Sequence, residues 1–283
     1  MTCIAYLGPK ATFSEQAVDE YLRQTNVGFY KKPCFSFNDV FNCFLTQSDC
    51  LAMVPLENSI EGGVGICSDH LAQLSDVYII AEQYLAIHHC LMSHQLVSVK
   101  DITHIYSHPQ PLGQCRDYLE KYCKASQLIE TASTAAAADI LTGRGSHEIA
   151  AMIGSFSLAS LHGLHILQEN IQDLENNQTR FVLLSKKPDL IQANRYKTSL
   201  ILAMDKNIPG SLYDILAQFN QFNINLTRIE SRPFKREMGE YLFYIDFEGH
   251  NHQGHVSKCL SNIEKKVYFF KNLGSYAFQD PIK

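Results

Sequence analysis

The sequence predicts a mixed α/β protein in two parts: a larger part of alternating strands and helices, and a smaller part with the order βαββαβ. Over residues 1–185, short β-branched runs alternate with amphipathic or alanine-rich segments, which is typical of a sheet covered by helices. Near residue 185 the composition becomes polar. After residue 197, two stripes of apolar residues at helical spacing alternate with apolar runs that predict strands.

The elements of the larger part follow from these runs. Strands are predicted where β-branched and aromatic residues cluster, and helices where the pattern is amphipathic or rich in alanine. In chain order we predict strands at 3–7, 51–55, 78–87, 104–107, 126–131, 149–153 and 181–184, and helices at 13–23, 111–122 and 133–141.

The smaller part follows a polar segment, 186–197, which we interpret as a linker because it contains Pro188 and has no apolar period. Its two helices are predicted from apolar residues spaced i, i+3, i+4 and i+7. These stripes are Leu212, Ile215, Leu216 and Phe219, then Val256, Cys259, Leu260 and Ile263, and the strands lie at 198–205, 224–232, 241–249 and 267–276. The order βαββαβ is that of ferredoxin-like domains.

Charge and hydropathy argue against several classes of function. The chain carries 24 Lys and Arg against 29 Asp and Glu, a net charge of −5, and has no long basic run, so we expect no nucleic-acid partner. No apolar stretch approaches the ~18 residues of a membrane span. The N-terminus lacks the features of a signal peptide, so we expect a cytoplasmic protein with no membrane partner.

Cysteine, histidine and glycine spacing gives no metal or cofactor motif. Nine cysteines are scattered without any C-x-x-C, so we expect reduced, mostly buried thiols rather than a zinc ribbon. His250, His252 and His255 are close in sequence but lack matching cysteines or carboxylates. The glycines at 62–65 have neither the Walker lysine nor dinucleotide-binding spacing. We therefore expect neither a metal nor a cofactor.

Polar loops follow several predicted strands, at the edge where open α/β sheets bind ligands. Thr12 with Glu15 forms a capping box, which fits either a plain helix start or an anion site. His108 likewise fits either a helix cap or a site residue. The other candidates in these loops are Asn58, Ser59, Ser133, Thr134, Thr179 and Arg180. Together they suit a small anionic substrate that needs directed hydrogen bonds more than a covalent nucleophile.

Six motifs along the chain resemble those of the prephenate dehydratase family. In order they are GPKATFS, VPLENSIEGGV, SHPQPLGQC, ASTAAAA, AAMIGS and NNQTRFVLL. Two motifs of the smaller part, PGSLYDIL and LTRIESRPFK, resemble the ACT regulatory domain that commonly follows. The visible departure is Ala11, where the family usually has glycine. Because the first motif begins at Gly8, we expect no chorismate mutase domain ahead of it.

The resemblance implies a catalytic domain over residues 1–185, with two α/β lobes like those of periplasmic binding proteins and an active site between them. The second lobe would span roughly 88–175, and residues 198–283 would form the ACT domain. The implied reaction converts prephenate to phenylpyruvate, carbon dioxide and water without a cofactor. Phenylalanine would be the effector. Pairing of ACT domains, which covers their exposed sheets, would make a homodimer or homotetramer.

The resemblance also assigns residues to roles. Thr179 would donate to the departing hydroxyl, and His108 is a candidate source of the proton because histidines titrate near neutral pH. The substrate-binding residues would be Thr12, Asn58, Ser59, Ser107, Gln110, Thr134, Arg180 and Phe181, and the effector-binding residues Pro209, Gly210, Ser211, Leu212, Glu230, Ser231, Arg232 and Pro233. Glu230 and Arg232 also fit a solvated strand end. Two alternatives stay open for the function: an arogenate dehydratase with the same residues, and a non-catalytic small-molecule sensor.

The two carboxylates of prephenate would need different surroundings. The pyruvyl carboxylate keeps its charge throughout, so Arg180, Asn58, Ser59 or a helix N-terminus can hold it. The ring carboxylate loses its charge as carbon dioxide leaves. An ion pair there would stabilise the ground state and slow the reaction, so we expect neutral or apolar surroundings.

Overall fold

Three β-sheets organise this computed structural model, which describes residues 2–25, 28–143, 149–188, 192–204, 208–234 and 240–282. In chain order the elements are β1 (Cys3–Leu7), α1 (Phe13–Thr25), β2 (Tyr30–Cys34), α2 (Phe37–Thr46), β3 (Cys50–Asn58), β4 (Gly62–Gly63), α3 (Gly65–Gln73), β5 (Tyr78–Ala86), β6 (Cys90–Ser93), β7 (His104–Ser107), α4 (Pro109–Gln114), α5 (Arg116–Tyr122), β8 (Gln127–Glu130), α6 (Thr134–Gly143), β9 (Ala150–Gly154), α7 (Phe156–His162), β10 (His165–Gln168), β11 (Gln178–Ser185), β12 (Tyr196–Ala203), α8 (Ser211–Gln221), β13 (Leu226–Pro233), β14 (Tyr241–Glu248), α9 (Gly254–Glu264) and β15 (Phe269–Ala277). Every helix in these ranges is too short or too polar to span a bilayer.

The first sheet, in the order β2-β1-β3-β11-β5 with β4 paired to β3, forms the first lobe. β1 is parallel to both β2 and β3, whereas β11 runs antiparallel to both β3 and β5. Residues 3–6 and 52–56 are continuously buried. The reason is that α1 covers one face of the sheet, while α2, α3 and the third sheet cover the other.

The second sheet, in the order β10-β6-β9-β7-β8, forms the second lobe. α6 and α7 pack on one of its faces, and α4 and α5 on the other. The chain crosses between the lobes after β5 and again before β11, and the two crossing segments lie side by side. The Ile87 amide donates to Asn177 O (2.8 Å), and the Ile171 amide donates to His89 O (3.0 Å). The predicted two-lobed α/β architecture is confirmed.

The third sheet is antiparallel, in the order β13-β14-β12-β15, and carries α8 and α9 in the predicted ferredoxin-like topology. Alternate residues of β12 point to opposite faces. Leu200 and Leu202 pack on α8 and α9, whereas Ile201 and Ala203 pack against the first sheet. Both faces are therefore covered within one chain. We expected subunit pairing because such a sheet has exposed edges and faces. Here both faces are covered, so this part of the reason does not hold, and the edges remain.

Seven elements of the lobes are not predicted by the sequence: β2, α2, β4, α3, β6, α7 and β10. β2 is polar because Lys31, Lys32 and Pro33 stand in a row, which an edge strand tolerates. α2 carries a recognisable start signal, since Ser36 caps it by accepting a hydrogen bond from Asp39 N (3.1 Å). β6 and β10 have only four residues each, too few to show a period.

One predicted element differs from the structure. The helix predicted at 111–122 is two helices that meet at Cys115, whose φ of −117° and ψ of 23° break the helical run. Two predicted features extend beyond the described residues: the end of the strand predicted to reach Asp205, and residues 189–191 of the interpreted linker.

A cluster of buried charges joins the first sheet to the third. The guanidinium of Arg180, on β11, donates to Glu82 of β5 (Nε–Oε2, 2.8 Å) and to Asp246 of β14 (Nη1–Oδ2, 2.5 Å). It also donates to the hydroxyl of Tyr276 on β15 (2.6 Å), and Lys197 of β12 lies 2.8 Å from both oxygens of Glu82. Burial disfavours the charged form of Asp246, but the charges of Arg180 and Arg228 and the hydrogen bonds from Ser199 and Arg180 together hold the pKa of Asp246 below its usual value. Four strands are thus fixed around one arginine.

We predict that Arg180→Met lowers the free energy of unfolding by ~3–5 kcal/mol, because it removes the cation nearest to the buried carboxylate of Asp246. The matched control is Arg116→Met, which removes an exposed pair with Glu120 on α5 and should cost less than ~1 kcal/mol. Urea unfolding at pH 7, followed by circular dichroism, measures both. Equal losses in the two variants would contradict a role for the buried cluster in holding the sheets together.

Candidate active site

A cavity of about 510 Å³ lies between the two lobes. Its walls include the carboxyl ends of β1 and β3, the first half of β11, and the starts of α1, α4 and α6. This is the sheet edge at which the sequence predicts a site. The predicted site residues that line it are Thr12, Asn58, His108, Gln110, Thr134, Thr179 and Phe181.

Thr179 and Asn58 face each other across the antiparallel pair β11 and β3. The Asn58 amide nitrogen donates to Thr179 Oγ1 (2.9 Å) and to Asn177 Oδ1 (2.9 Å). Its oxygen accepts from the backbone amides of Ile60 (2.9 Å) and Glu61 (3.0 Å), which fixes which way the amide points. Thr179 therefore accepts from the protein through Oγ1. No residue within the described ranges accepts its hydroxyl proton, which is available to a molecule in the cavity.

A chain of amides continues from this pair into the second lobe. Gln114, on α4, accepts through Oε1 from Asn177 Nδ2 (3.1 Å) and from His89 Nε2 (2.9 Å). Its Nε2 donates to Glu61 Oε1 (2.9 Å) in the first lobe. Gln114 is the member of this network contributed by the second lobe, so it links the relative position of the lobes to the orientation of Asn58 and Thr179. The sequence analysis quotes Gln114 within its motif but gives it no role.

His89 is a buried neutral base at the wall of the cavity. Burial lowers its pKa, although the hydrogen bond to Gln114 opposes the shift. Because Nε2 donates to Gln114, Nδ1 carries the lone pair, and no described residue donates to it. The edge of the ring packs against Phe13, with ring centroids 5.8 Å apart. His89 Nδ1 is therefore a buried acceptor that has no partner among the described residues. Its sequence context, two adjacent histidines after a strand, gave no signal for this role.

His108 is both a helix cap and a cavity residue, so the two interpretations of its sequence position are compatible. Its Nδ1 accepts from the backbone amide of Gln110 (3.3 Å) at the start of α4. In the neutral tautomer this leaves the proton on Nε2. His108 is half-buried and lines the cavity, which allows Nε2–H to reach a ligand there.

The starts of α1 and α6 present hydrogen-bond donors to the cavity. Thr12 accepts from Glu15 N (3.3 Å) at the start of α1, which is one half of the predicted capping box. The Glu15 carboxylate accepts from Ala11 N (2.6 Å), one residue before the cap. Ser133 caps α6 by accepting from Ala136 N (3.0 Å). Among the described residues that line the cavity there is no lysine or arginine. An anion there would be held by helix N-termini and neutral side chains.

Ala11 links the lobes across the cavity. Its φ of 62° lies in the left-handed region, which costs a residue with a Cβ roughly 1 kcal/mol and accounts for the glycine that the family usually has there. The buried Ser155, from the turn before α7, donates to Ala11 O (2.9 Å). Ser155 also lines the cavity, and the sequence analysis did not predict it.

Three predicted substrate-binding residues lie elsewhere. Ser107 is fully buried and donates to Ile153 O (2.8 Å), inside the second sheet. Ser59 donates to Asn176 O (2.9 Å) and accepts from Gln178 N (3.0 Å), so it fastens the start of β11. Arg180 points to the face of β11 opposite Thr179, where Glu82 and Asp246 neutralise it. These three residues do not line the cavity, and their side chains are engaged within the protein.

The predicted effector residues lie at one end of the third sheet. β12 and β13 run in the same direction, and Leu202 and Ser231 both pair with Phe243 of β14. The turn into α8 and the end of β13 therefore lie at the same end of the sheet. Glu230 and Arg232 are not a solvated strand end: they face the first lobe. The Glu230 carboxylate lies against Gly63, where an added Cβ would be 2.2 Å from Oε2, and Arg232 Nη2 lies 3.2 Å from Asp69 Oδ1.

The comparisons with family models, protein sequences and solved structures agree with one another. Residues 4–189 match the family model described as "Prephenate dehydratase". The chain is 39% identical to the prephenate dehydratase of Methanocaldococcus jannaschii over 98% of both chains. It is 32% identical to "Arogenate dehydratase/prephenate dehydratase 2, chloroplastic" of Arabidopsis thaliana, over 96% of this chain and 72% of that one. The crystal structure of the Arthrobacter aurescens prephenate dehydratase in complex with L-Phe matches with a TM-score of 0.89 at 31% identity, covering 100% of this chain and 92% of that one. The chain belongs to the prephenate dehydratase family.

Proposed function

We propose that this chain converts prephenate to phenylpyruvate, carbon dioxide and water. The observation that carries the proposal is the hydroxyl of Thr179. Asn58 holds its oxygen, and its proton is available to a molecule in the cavity between the lobes. Membership of the prephenate dehydratase family supports the same activity.

The reaction needs a donor at the departing oxygen. The bond to the ring carboxylate breaks, its electron pair enters the ring, and the ring hydroxyl leaves with the electron pair of the C–O bond, so that the ring becomes aromatic. Hydroxide is a poor leaving group, and a hydrogen bond that forms as it departs lowers the barrier. Thr179 supplies this hydrogen bond. A threonine hydroxyl is a very weak acid, so the proton that completes the departing water must come from another group. We assign it to His108 in its imidazolium form, in which Nδ1 is protonated and no longer accepts from Gln110 N. Loss of the Nε2 proton to the departing hydroxide then leaves neutral imidazole and water.

The cavity offers different surroundings to the two carboxylates. We assign the pyruvyl carboxylate to the starts of α1 and α6, where Thr134 adds a hydroxyl to the backbone donors. The hydroxyl of Thr12 donates instead to Leu7 O (2.9 Å), so Thr12 shapes the start of α1. We assign the ring carboxylate to the neutral wall that contains Phe181 and Ile87. The lack of lysine and arginine among the described lining residues supports this arrangement. A cation beside the ring carboxylate would stabilise the substrate more than the transition state.

The purified protein, assayed without added metal or nucleotide, is expected to form phenylpyruvate from prephenate, measured by its absorbance in alkali. Arogenate carries an amino group in place of the keto group and would give phenylalanine, which amino-acid analysis detects. We expect a kcat/KM for prephenate above that for arogenate. The reverse order would make the chain an arogenate dehydratase. If the protein converts neither substrate, the proposal is contradicted and the non-catalytic sensor remains as the interpretation.

Thr179→Ala is expected to lower kcat by ~10²–10³, or ~2.7–4 kcal/mol, the usual loss when one transition-state donor is removed. Thr179→Ser should retain more activity because the hydroxyl survives. The control is Thr46→Ala, at the exposed end of α2, which should leave kcat unchanged. Circular dichroism and thermal unfolding check that all three variants fold. A folded Thr179→Ala enzyme with normal kcat would refute the role assigned to Thr179.

We further propose that the third sheet with α8 and α9 is an ACT domain that binds L-phenylalanine, the ligand named for the Arthrobacter aurescens relative. Residues Pro209–Leu212 contain the left-handed Gly210 (φ 88°) and begin α8, so backbone amides there can meet a carboxylate. Ser231 and Pro233 are exposed at the same sheet edge. Leu212, at the start of α8, lies at the same end of the sheet and is half-buried. Its side chain can contact the phenyl ring of a bound phenylalanine.

Glu230 and Arg232 provide a route from this effector site to the cavity. Both contact the segment Gly63–Asp69, and Gly62, Gly63 and Val64 line the cavity. A ligand that displaces the end of β13 would move this segment. The coupling free energy expected between the effector site and the cavity is ~1–3 kcal/mol.

The same end of the third sheet suits a subunit interface. Apolar side chains that are exposed there are Ile208, Tyr213, Ile229 and Tyr241. We propose that the edge strand β13 and the start of α8 pair with a second copy, giving a homodimer or homotetramer.

We also propose that the enzyme works in the cytoplasm, which its nine unpaired, buried cysteines support.

Phenylalanine is expected to inhibit the wild-type enzyme. Leu212→Ala should raise the concentration needed for half-inhibition by ~10-fold or more, because an apolar contact of this size is worth ~1–3 kcal/mol. Its kcat/KM should not change, and neither value should change in the control Leu161→Ala, an exposed residue of α7. Deleting residues 198–283 is unsuitable as a test, because it uncovers the first sheet. Inhibition that is competitive with prephenate and equal in both variants would place the effector in the cavity.

A further inference from the structure

Three cysteines that are far apart in sequence converge at the end of the first sheet. Cys3 and Cys50 are partners in register on the neighbouring strands β1 and β3, and Cys43 belongs to α2, which packs on them. The Sγ atoms of Cys3 and Cys50 are 2.9 Å apart, and those of Cys43 and Cys50 are 3.5 Å apart. All three Sγ atoms lie within 4.8 Å of one another, and all three residues are buried. Their irregular spacing in sequence gave no hint of this contact.

The three sulfur atoms can reach one metal ion after small side-chain rotations. Zn²⁺ binds thiolates at ~2.3 Å, which places tetrahedral sulfur ligands ~3.8 Å apart. The Sγ atoms of Cys43 and Cys50 are near this separation at 3.5 Å, whereas those of Cys3 and Cys50, at 2.9 Å, would have to move apart by ~0.9 Å. An oxygen ligand at ~2.0 Å would lie ~3.5 Å from a sulfur ligand. Gln47, which follows α2, places its Oε1 3.5 Å from Cys3 Sγ. Gln47 is exposed, so an ion can enter from that side.

The charge balance at the cluster suits a divalent cation. Each thiol gives up its proton when its sulfur binds the ion, so binding by the three cysteines releases three protons. Three thiolates around a divalent ion leave one net negative charge.

We propose that Cys3, Cys43 and Cys50, with Gln47 as the oxygen ligand, form a structural site for Zn²⁺. Thiolate ligands select soft d¹⁰ ions over Mg²⁺ or Ca²⁺. The site is separate from the cavity, because Cys50 is the first residue of β3 and the cavity residue Asn58 is the last, ~26 Å along the strand. A bound ion would fasten α2 to β1 and β3 and would take no part in the proposed reaction.

The test uses the full-length reduced protein, stripped of metal and titrated with Zn²⁺ against a chromophoric chelator, with Cd²⁺ as a second probe for its ultraviolet thiolate absorption. We expect one equivalent to bind, and Cys43→Ser to raise the Kd by at least ~100-fold, since loss of an outer-shell partner alone costs 10–100-fold. The matched control, Cys67→Ser, removes a buried thiol of α3 outside the cluster and should bind like the wild type. Gln47→Ala, an exposed change that does not threaten the fold, should weaken binding by ~10-fold.

Thermal unfolding gives an independent readout. Excess Zn²⁺ should raise the Tm of the wild type and of Cys67→Ser but not that of Cys43→Ser, because only a native-state site stabilises the fold. The kcat for prephenate should be the same with and without Zn²⁺. Failure to bind Zn²⁺, equal binding by Cys43→Ser and Cys67→Ser, or a Cys3–Cys50 disulfide in place of metal binding would each overturn the proposal.

Discussion

The alternation of side chains along β11 is the constraint on which the rest of the molecule depends. Thr179 and Phe181 point to the cavity, whereas Arg180 and Val182 point to the third sheet. One strand is therefore a wall of the cavity and, at the same time, the core of the contact with the third sheet. A shift in its register would exchange the two sets of side chains. The buried charges around Arg180, together with the pairing to both β3 and β5, make such a shift costly.

The same constraint explains how the third sheet can influence the cavity without touching a molecule inside it. The third sheet holds β11 from behind through Asp246 and Tyr276, and it contacts the segment Gly63–Asp69 through Glu230 and Arg232. β11 contributes Thr179, and that segment follows the loop of Asn58. β11 and the segment Gly63–Asp69 are thus both in contact with the third sheet. A movement of this sheet would change the position of Thr179 relative to a molecule in the cavity, which is the physical basis of the regulation we propose.

The sequence predicted the classes of structure better than the direction of individual side chains. Periodicity identified both α/β lobes and the βαββαβ unit, because those patterns are local. The order of polar loops after strands located Thr12, Asn58, His108 and Thr179 near one another.

Arg180 was expected to bind the substrate because neighbours in a motif were given one function, although neighbours in a strand point to opposite faces. Which face meets the cavity depends on the position of the third sheet, which no local pattern contains. The contact of Cys3, Cys43 and Cys50 was hidden for the same reason, since it depends on the register of β1 and β3 and on the packing of α2.

The placement of charge also has a chemical consequence. Arg180 is adjacent in sequence to Thr179, yet Glu82 and Asp246 neutralise it on the far side of the strand. An unpaired cation ~4 Å from the ring carboxylate of prephenate would stabilise the substrate by ~4 kcal/mol at an effective dielectric constant of ~20. That interaction weakens as carbon dioxide forms, so much of it would be added to the barrier, and its full loss would slow the reaction by ~10³-fold. Neutral donors do not carry this penalty, because a hydroxyl or a backbone amide binds the carboxylate less strongly than a full charge does. The fold needs a strong cation to hold its sheets together, and the proposed chemistry needs that cation to be absent from the ring carboxylate. The two faces of β11 meet both requirements within two consecutive residues.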